Sequence, residues 1–461
     1  MKEKVNVVIF GTGMFYNSRK HTIPQNINIV AFIDNNVEKH GKFIDGIQVY
    51  SPKDVLRLEC DIIILASGAF IDMKNQLLEI GVNENKIMNW EKFICSQYKG
   101  VLEKHSVVSQ NGKKIVVIVP VINLAGGYIA VLNVCICLNK IGCSVTIVAP
   151  FVDDIFIKEA NKLGISVWAC PSILFIDKEE IEWIDEFDVV WVNSLHGMQC
   201  VDKICKMKPT IWWLHEYSKQ YESCISVYGE GIEDESYSMA KIYAVSEIAK
   251  DNYGRFFDDE SVKILELGIQ DFYKRQEKNG NKVVIAMIGT IAKAKNQIEL
   301  LCAIKKLPPE VKKQIECWFI GRVGENDYYT RINNMASDMD NVKMLGEMNR
   351  NKLEEIFKEI NVVVCTSPEE TMCMSIVEGM MNKKICITTY NTGVAKYIKN
   401  GVNGYIYHTG NLEELSILLN QVVTQFNELD DIRECARNTY LKSFDIEVLQ
   451  EKINNIIKEV E

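Results

Sequence analysis

The sequence lacks the cysteine and histidine spacing of a structural metal site. Its 15 cysteines include no CxxC pair, and its six histidines do not cluster with them. An odd number of cysteines without such pairs is typical of reduced, buried thiols in a cytosolic protein. We therefore expect free thiols and no bound metal.

The chain also lacks an excess of positive charge. Its 52 lysines and arginines face 62 acidic residues, which gives a net charge of −10. This balance argues against a general nucleic-acid-binding protein. The composition is otherwise that of a soluble globular protein, and 461 residues suggest about three domains of roughly 150 residues each.

No secretory leader is evident, because the first residues, MKEKVNVVIF, run directly into a strand pattern. One charge-free run, Ile115–Leu138, is long enough to cross a bilayer. It contains Pro120, Asn123 and a Gly-Gly pair, so a strand, a glycine turn and a buried helix explain it better. We expect a cytoplasmic protein, with peripheral contact at the inner face of the membrane as the alternative.

Residues 1–100 have the pattern of a separate, small α/β domain. A strand at Val5–Phe10 is followed by a glycine turn, and a second strand ends at Asp34. A dinucleotide-binding unit has this order of elements: a strand, a glycine turn, a helix, a second strand and an acidic residue. Tyr16 occupies the place of the third glycine, where it would crowd the helix–strand contact. Cofactor binding and a purely architectural role are both open interpretations.

A largely polar stretch, Glu91–Lys113, predicts a linker to a second α/β domain over residues 113–275. Apolar runs alternate there with helical patterns, which implies a parallel sheet wrapped by helices. Gly126 and Gly127 precede a helix, where glycine amides can approach a phosphate or an acceptor, although a simple turn is the alternative. His215 follows an apolar strand and would lie at the ligand edge of the sheet, or would be a satisfied interfacial histidine.

The residues Gln276–Lys282 carry charges and an Asn-Gly turn, so they predict a hinge before a third domain at 276–461. That domain opens with an apolar strand, then Gly289, and then Lys295 just before a helical pattern. A glycine that lets the chain turn, followed by a lysine, is typical of a phosphate site. An isolated surface lysine is the alternative interpretation.

The stretch Ser367–Met380, SPEETMCMSIVEGM, follows a buried strand pattern at Asn361–Thr366. We predict that Glu370 and Glu378 lie near one face of a helix, with Glu370 at its N-terminus. The intervening residues are apolar, so both carboxylates would need partners such as sugar hydroxyls or backbone amides. A solvated helix face is the alternative.

This stretch resembles the signature of the retaining nucleotide-sugar glycosyltransferases of family 4, which have the GT-B fold of two facing Rossmann-like domains. The resemblance covers about residues 113–461. It implies that Glu370 lies by the donor sugar and that Glu378 binds the nucleotide ribose. It also implies that Gly289 and Lys295 belong to the loop that binds the donor phosphates.

The same resemblance implies further site residues in the second domain. His215 would face the donor sugar, and Gly126 and Gly127 would form the glycine loop after the first strand. Separately, the passage VAFIDNN…GKFIDGIQVYSP resembles the Rossmann-like N-terminal domain of sugar-modifying and polysaccharide-assembly proteins.

Two positions depart from the family pattern. Family members frequently carry an arginine where this chain has Thr290, so Lys293 or Arg322 would have to supply the missing charge. A glutamate that is common after the Asn391-Thr-Gly turn is replaced here by Lys396.

The sequence therefore predicts an α/β protein with the GT-B fold and an extra N-terminal Rossmann-like domain. We expect the final helix of the chain to pack back from the third domain on the second. We expect retaining transfer of a sugar from a nucleotide diphosphate sugar to a glycan or lipid-linked acceptor in surface polysaccharide biosynthesis, without cofactor, metal or nucleic acid. Glu370, Lys295 and His215 are the expected catalytic residues. The alternatives are a non-catalytic partner subunit of the same fold and a nucleotide-sugar-modifying enzyme that uses residues 1–100.

Overall fold

The chain forms two compact units in the computed structural model, which describes residues 4–108, 111–120, 126–177, 180–229, 232, 237–257, 261–273 and 282–460. The first unit comprises Met1–Ile122, Cys143–Trp212 and Lys219–Lys241, and the second comprises Asn123–Gly142, Trp213–Ser218 and Ile242–Glu461. The predicted hinge at Gln276–Lys282 falls outside the described residues except for Lys282. The three predicted domain boundaries stay a prediction.

The first unit opens with a sheet whose elements are β1 (Val5–Phe10), α1 (Met14–Arg19), β2 (Ile27–Ile33), β3 (Phe43–Ile44), β4 (Ile47–Tyr50), β5 (Ile62–Leu65), α2 (Phe70–Ile80), β6 (Ile87–Asn89) and α3 (Trp90–Ser96). The strand order is β3-β4-β2-β1-β5-β6, and only the β3–β4 pair is antiparallel. Apolar clusters cover both faces of this sheet. The predicted strands β1 and β2 are confirmed.

The turn region of this N-terminal sheet is occupied by the protein's own side chains. Asp34, at the end of β2, accepts hydrogen bonds from the backbone N of Thr12 at 3.0 Å and from Nζ of Lys39 at 2.9 Å. Tyr16 is only 2 % exposed, and its ring packs edge-on against Trp90 with centroids 6.2 Å apart. The acidic group that a dinucleotide-binding unit offers to a ribose is therefore bound within the protein here.

The middle of the chain contains β7 (Glu103–His105), β8 (Lys114–Ile118), α4 (Gly126–Lys140), β9 (Ser144–Ala149), α5 (Asp154–Lys162), β10 (Ser166–Ala169), β11 (Val189–Asn193), α6 (Met198–Ile204), β12 (Thr210–Leu214), α7 (Ser218–Tyr228) and β13 (Lys241–Ala244). Strands β11, β8, β9 and β10 are parallel neighbours in that order, and β7 pairs antiparallel with β10.

The interpretation of Glu91–Lys113 as a linker is wrong in part, because α3 and β7 lie within it. The Asn89 side chain caps α3 by accepting a hydrogen bond from the backbone N of Lys92 at 2.7 Å. The apolar Phe93 and Ile94 then pack into the core of the N-terminal sheet. Polar residues such as Ser96, Glu103 and Lys104 occupy exposed positions of these two elements, so polarity alone did not indicate a loop.

The rest of the second unit contains α8 (Glu247–Gly254), β14 (Lys263–Ile264), β15 (Val283–Ile288), α9 (Gln297–Lys306), α10 (Pro309–Lys312), β16 (Ile315–Ile320), α11 (Asn326–Ala336), β17 (Val342–Gly346), α12 (Arg350–Ile356), β18 (Val362–Val364), α13 (Met374–Met381), β19 (Ile385–Thr389), β20 (Tyr405–Tyr407), α14 (Leu412–Thr424), α15 (Asp430–Ser443) and α16 (Ile446–Glu459). The sheet order is β17-β16-β15-β18-β19-β20, and every pair is parallel. All six strands therefore end at one edge of the sheet.

The final helix, α16, packs against α4 within the second unit. Asn133 of α4 donates from Nδ2 to the backbone O of Gly268 at 2.7 Å. A Cβ added to Gly268 would lie 2.5 Å from Cβ of Leu449, so only glycine allows this approach. The charge-free run thus includes a helix that is covered by protein. Within the described parts of the chain, no helix combines the length and apolarity that crossing a bilayer requires.

Candidate active site

A cavity of about 470 Å³ lies in the second unit, where β15, β16 and β17 end. The sequence-predicted residues that line it are His215, Gly289, Thr290, Lys295, Arg322, Glu370 and Glu378. Gly126 and Gly127 are the first two residues of α4, and Ile129 and Ala130 of the same helix line the cavity. Residues far apart in the sequence are therefore brought to one place.

Two glycines shape the sheet edge below the cavity. Gly289 and Gly321 both have φ of +153°, and a Cβ on Gly321 would lie 2.0 Å from the carbonyl O of Gly289. The backbone N of Gly289 donates to Ile320 O, and that of Gly321 donates to Gly346 O, each at 2.8 Å. The close approach of these turns requires glycine and leaves the strand ends open to a ligand.

Lys295 is the cation at the centre of the cavity. Its Nζ forms an ion pair with the Glu370 carboxylate, and the loop that carries it is fixed by Thr366, whose Oγ1 donates to Lys295 O at 3.0 Å. Burial opposes the charge on Lys295, but the paired Glu370 carboxylate together with the neighbouring thiols of Cys373 and Cys365 raises the pKa of Lys295. Lys295 therefore remains an ammonium at neutral pH.

Glu370 does not lie on the helix that carries Glu378, which corrects the prediction that both carboxylates share one helix face. Helix α13 begins only at Met374. The backbone of Glu370 is extended and bonded to a neighbouring loop, through its N to Asn391 O at 3.0 Å and its O to Gly393 N at 2.9 Å. Both carboxylates nevertheless line the same cavity.

Glu378 is 4 % exposed, and its partner is a residue that the sequence interpretation missed. Oε1 of Glu378 forms an ion pair with Nη1 of Arg350, whose Nε also donates to Oε1 of Glu354 at 3.1 Å. Burial raises the pKa of Glu378, although Arg350 acts in the opposite direction. Arg350 begins a helix after β17, and no motif in the sequence distinguishes it from an exposed arginine.

His215 lines the cavity as a neutral imidazole. Burial lowers the pKa of His215 to about 4, although Glu216 acts in the opposite direction. The ring lies 4.2 Å from that of Trp213, and the backbone O of His215 accepts a hydrogen bond from Oγ1 of Thr371 at 2.8 Å. An uncharged imidazole can exchange hydrogen bonds with a sugar hydroxyl without adding charge.

The residues proposed to replace the missing arginine have different environments. Arg322 lines the cavity and forms no ion pair with any residue that the structure describes. Lys293 is exposed, and its backbone N donates to Oε1 of Glu325 at 3.1 Å. Lys396, the second departure from the family pattern, forms an ion pair with Glu247. Arg322 is therefore the second cation available to a ligand in the cavity.

Two cysteines adjoin Lys295: Cys365 directly follows β18, and Cys373 directly precedes α13. Cys373 lines the cavity with φ of +77°, a left-handed conformation that costs a non-glycine residue roughly 1–2 kcal/mol. Interaction with the Cys373 thiol lowers the pKa of Cys365 against the effect of burial. In the described ranges, no group of three or more His, Cys, Asp or Glu side chains is placed to hold a metal ion.

Comparison with protein families assigns two segments of the chain. Residues 268–439 match the family described as glycosyl transferases group 1, and this segment carries Gly289, Lys295, Glu370 and Glu378. Residues 2–88 match the family described as C2185-like, N-terminal. No curated protein matches the chain. The match thus places the cavity residues Gly289, Lys295, Glu370 and Glu378 in a segment that is similar to group 1 glycosyltransferases.

Comparison with solved structures assigns the fold. Anabaena HepE in complex with UDP and glucose is 16 % identical, with a TM-score of 0.63 over 76 % of this chain and 100 % of that one. A glycosyltransferase from Rickettsia africae is 19 % identical, with a TM-score of 0.65 over 76 % and 99 %. Sucrose-phosphate synthase from Thermosynechococcus elongatus is 11 % identical, with a TM-score of 0.61 over 76 % and 99 %. This likeness confirms the predicted α/β GT-B fold class.

Proposed function

We propose that the protein is a glycosyltransferase that takes a sugar from a nucleoside diphosphate sugar bound in the cavity of the second unit. The observation that carries this proposal is one cavity that contains the Lys295 ammonium, the Glu370 and Glu378 carboxylates and Arg322 at the ends of parallel strands. Ligands of open α/β sheets bind at this edge. These four residues lie in the segment that matches group 1 glycosyltransferases, and HepE, a fold relative, was solved with UDP and glucose and with UDP-glucose.

The chemistry requires stabilisation of a leaving diphosphate. The bond between the anomeric carbon and the phosphate oxygen breaks, and a bond forms from that carbon to the acceptor oxygen, whose proton passes to the leaving phosphate. Negative charge therefore builds on the diphosphate. The Lys295 ammonium is held at the cavity by Glu370 before the reaction starts, so it can stabilise this charge without reorganisation, and Arg322 adds a second positive charge at the cavity wall.

The remaining groups orient the donor and the acceptor. Glu370, already bound to Lys295, would accept hydrogen bonds from donor-sugar hydroxyls next to the diphosphate. Glu378 would bind the ribose, and neutral His215 would contact the sugar. The amides at Gly126 and Gly127, at the N-terminus of α4, would bind a phosphate or the acceptor.

We extend the proposal to retention of the anomeric configuration, to a glycan or lipid-linked acceptor, and to surface polysaccharide biosynthesis in the cytoplasm or at the inner face of the membrane. Support for retention comes from the resemblance of the Glu370–Glu378 stretch to the retaining family 4. Support for the pathway comes from the resemblance of the N-terminal passage to modules of polysaccharide-assembly proteins. Lys295 and Arg322 supply the positive charge that a metal ion supplies elsewhere, so no metal or cofactor is required.

A non-catalytic partner subunit is the second candidate. Thr290 stands where family members frequently carry an arginine. Lys396 stands where a glutamate is common, and it forms an ion pair with Glu247. Such a subunit would bind the donor without turning it over. A nucleotide-sugar-modifying enzyme run by the N-terminal sheet is disfavoured, because Asp34 is bound to Thr12 and Lys39.

The test is a thermal-shift screen of the full chain with uridine, guanosine and adenosine diphosphate sugars, followed by assay of donor hydrolysis. A ligand at 100 times its Kd stabilises by about 2.7 kcal/mol, so we expect one base to raise Tm by several degrees and its sugar to be released slowly into water. Binding without hydrolysis or transfer would favour the non-catalytic subunit. Unchanged Tm with all three donors would contradict the proposal.

A further inference from the structure

Arg350 has no role in the reaction proposed above, yet it lines the same cavity. Three contacts fix its guanidinium. Nη1 pairs with Glu378 and Nε with Glu354, while the group lies 4.5 Å above the ring of Phe272. An arginine held at two nitrogens and stacked on an aromatic ring has a defined plane. Its Nη2 donates no hydrogen bond to any residue that the structure describes.

The Glu378 carboxylate beside Arg350 likewise has one oxygen that pairs with a described residue and one that does not. The Glu378 side chain is 5 % exposed, and Arg350 occupies its Oε1. Its Oε2 accepts no hydrogen bond from the described side chains and backbone. Among the described residues, Nη2 of Arg350 and Oε2 of Glu378 are therefore left as a donor and an acceptor without partners, and both residues line the cavity.

We infer that Arg350 is a positioning and specificity residue of the donor site, which holds Glu378 as an oriented carboxylate and reads a cis-diol together with it. One ribose hydroxyl donates to Oε2 of Glu378, and the neighbouring hydroxyl accepts from Nη2 of Arg350. The inference rests on the proposed nucleoside diphosphate sugar site. It extends that proposal, because Arg350 and Glu378 together, and not Glu378 alone, would distinguish a ribonucleotide from a deoxyribonucleotide.

The electrostatic surroundings give this pair a pH signature. The charged groups that face Glu378 are Arg350 and Glu354, both on α12. From α15, Arg437 reaches α13 at the backbone O of Met381. Without Arg350, burial and the Glu354 charge would act on Glu378 unopposed, and both raise its pKa. Loss of Arg350 should therefore make ribonucleotide binding weaken as the pH falls.

The experiment measures calorimetric affinities of the full chain for UDP, GDP and ADP and for their 2′-deoxy analogues, at pH 6.5 and 8.5. The variants are Arg350→Met, which removes the charge, and Arg350→Lys, which keeps the charge but loses the planar fork. Arg331→Met serves as the control, because Arg331 is an exposed arginine on α11. The Tm of each protein without ligand shows that it is folded.

The wild-type protein should bind one ribonucleotide at least tenfold more tightly than its 2′-deoxy form at both pH values. Arg350→Met should lose most of this preference and bind the ribonucleotide at least tenfold more weakly at pH 8.5, with a further loss at pH 6.5. Arg350→Lys should recover the pH profile but not the 2′-hydroxyl preference. If Arg350→Met does not fold, the lysine variant alone decides, because its loss of preference is the specific prediction.

Two results would overturn the inference in distinguishable ways. A wild-type protein that binds none of the three nucleotides overturns the proposed function and this inference with it. A wild-type protein that binds one of them, with unchanged preference and unchanged pH profile in the arginine variants, overturns the inference alone. The Arg331→Met control should match the wild type in every measurement.

Discussion

Replacing Lys295 by methionine is expected to reduce sugar transfer or donor hydrolysis by about 100-fold or more, the range seen when one preorganised charge-stabilising donor is lost. The ammonium is the cation that is paired with Glu370 in the cavity. Its removal takes away stabilisation of the leaving diphosphate. It also leaves the Glu370 carboxylate, which is mostly shielded from water, without its partner.

The assay for this substitution compares the kcat and donor Kd of the variant with those of Lys293→Met. Lys293 belongs to the same loop but is exposed, so its loss should change either quantity less than twofold. Equal effects of the two substitutions would mean that general surface charge, and not a specific contact, attracts the donor. Normal turnover by Lys295→Met would remove Lys295 from the mechanism.

Replacing Lys384 by methionine should stabilise the protein at neutral pH. Lys384 is 1 % exposed, and within the described structure its Nζ has no hydrogen-bond partner. Burial, together with the nearby Arg433, lowers the pKa of Lys384 from 10.5 to about 7. At about 1.4 kcal/mol per pKa unit, the buried lysine costs roughly 4 kcal/mol of stability at pH 7.

The sign of the pH dependence follows from the depressed pKa. Between pH 7 and pH 10.5 the unfolded chain binds a proton on Lys384 that the folded chain has released, so wild-type stability rises with pH across this window. Below pH 7 the penalty is fully present. The stabilisation by methionine should therefore be largest near pH 7 and shrink towards pH 10.

Thermal melting of the full chain at pH 7 and pH 9.5 checks this expectation, with the exposed Lys313→Met as the matched control. Lys384→Met should raise Tm by several degrees at pH 7 and by clearly less at pH 9.5. A lower Tm at pH 7 would show that Lys384 is charged and satisfied in the folded protein, and a gain that does not depend on pH would show that its pKa is not lowered by folding.

The strands were the features that could be predicted from sequence. Strands β12 and β15 form where apolar strands were predicted, directly before His215 and Gly289, because each is a short apolar run bordered by polar residues or a glycine. The site residues at strand ends, Gly289 and His215, followed from the same pattern, since parallel strands deliver their carboxyl ends to one edge.

The features that escaped prediction depend on contacts between distant parts of the chain. Glu370 lies before the helix because its backbone bonds to the turn at Asn391 and Gly393, and although the sequence indicates that turn, no local pattern pairs it with Glu370. Arg350 is tied to Glu378 across 28 positions, so spacing could not link them. Cys373 adopts a left-handed conformation that residue preference disfavours. Tertiary packing decides each of these positions.

The most direct measurement of the central claim is a crystal structure of the protein with the nucleoside diphosphate sugar selected by thermal shift. The account predicts diphosphate oxygens within hydrogen-bonding distance of Lys295 Nζ, sugar hydroxyls on Glu370 and the ribose on Glu378. A donor bound at the N-terminal sheet, or bound in the second unit with its diphosphate away from Lys295, would contradict it.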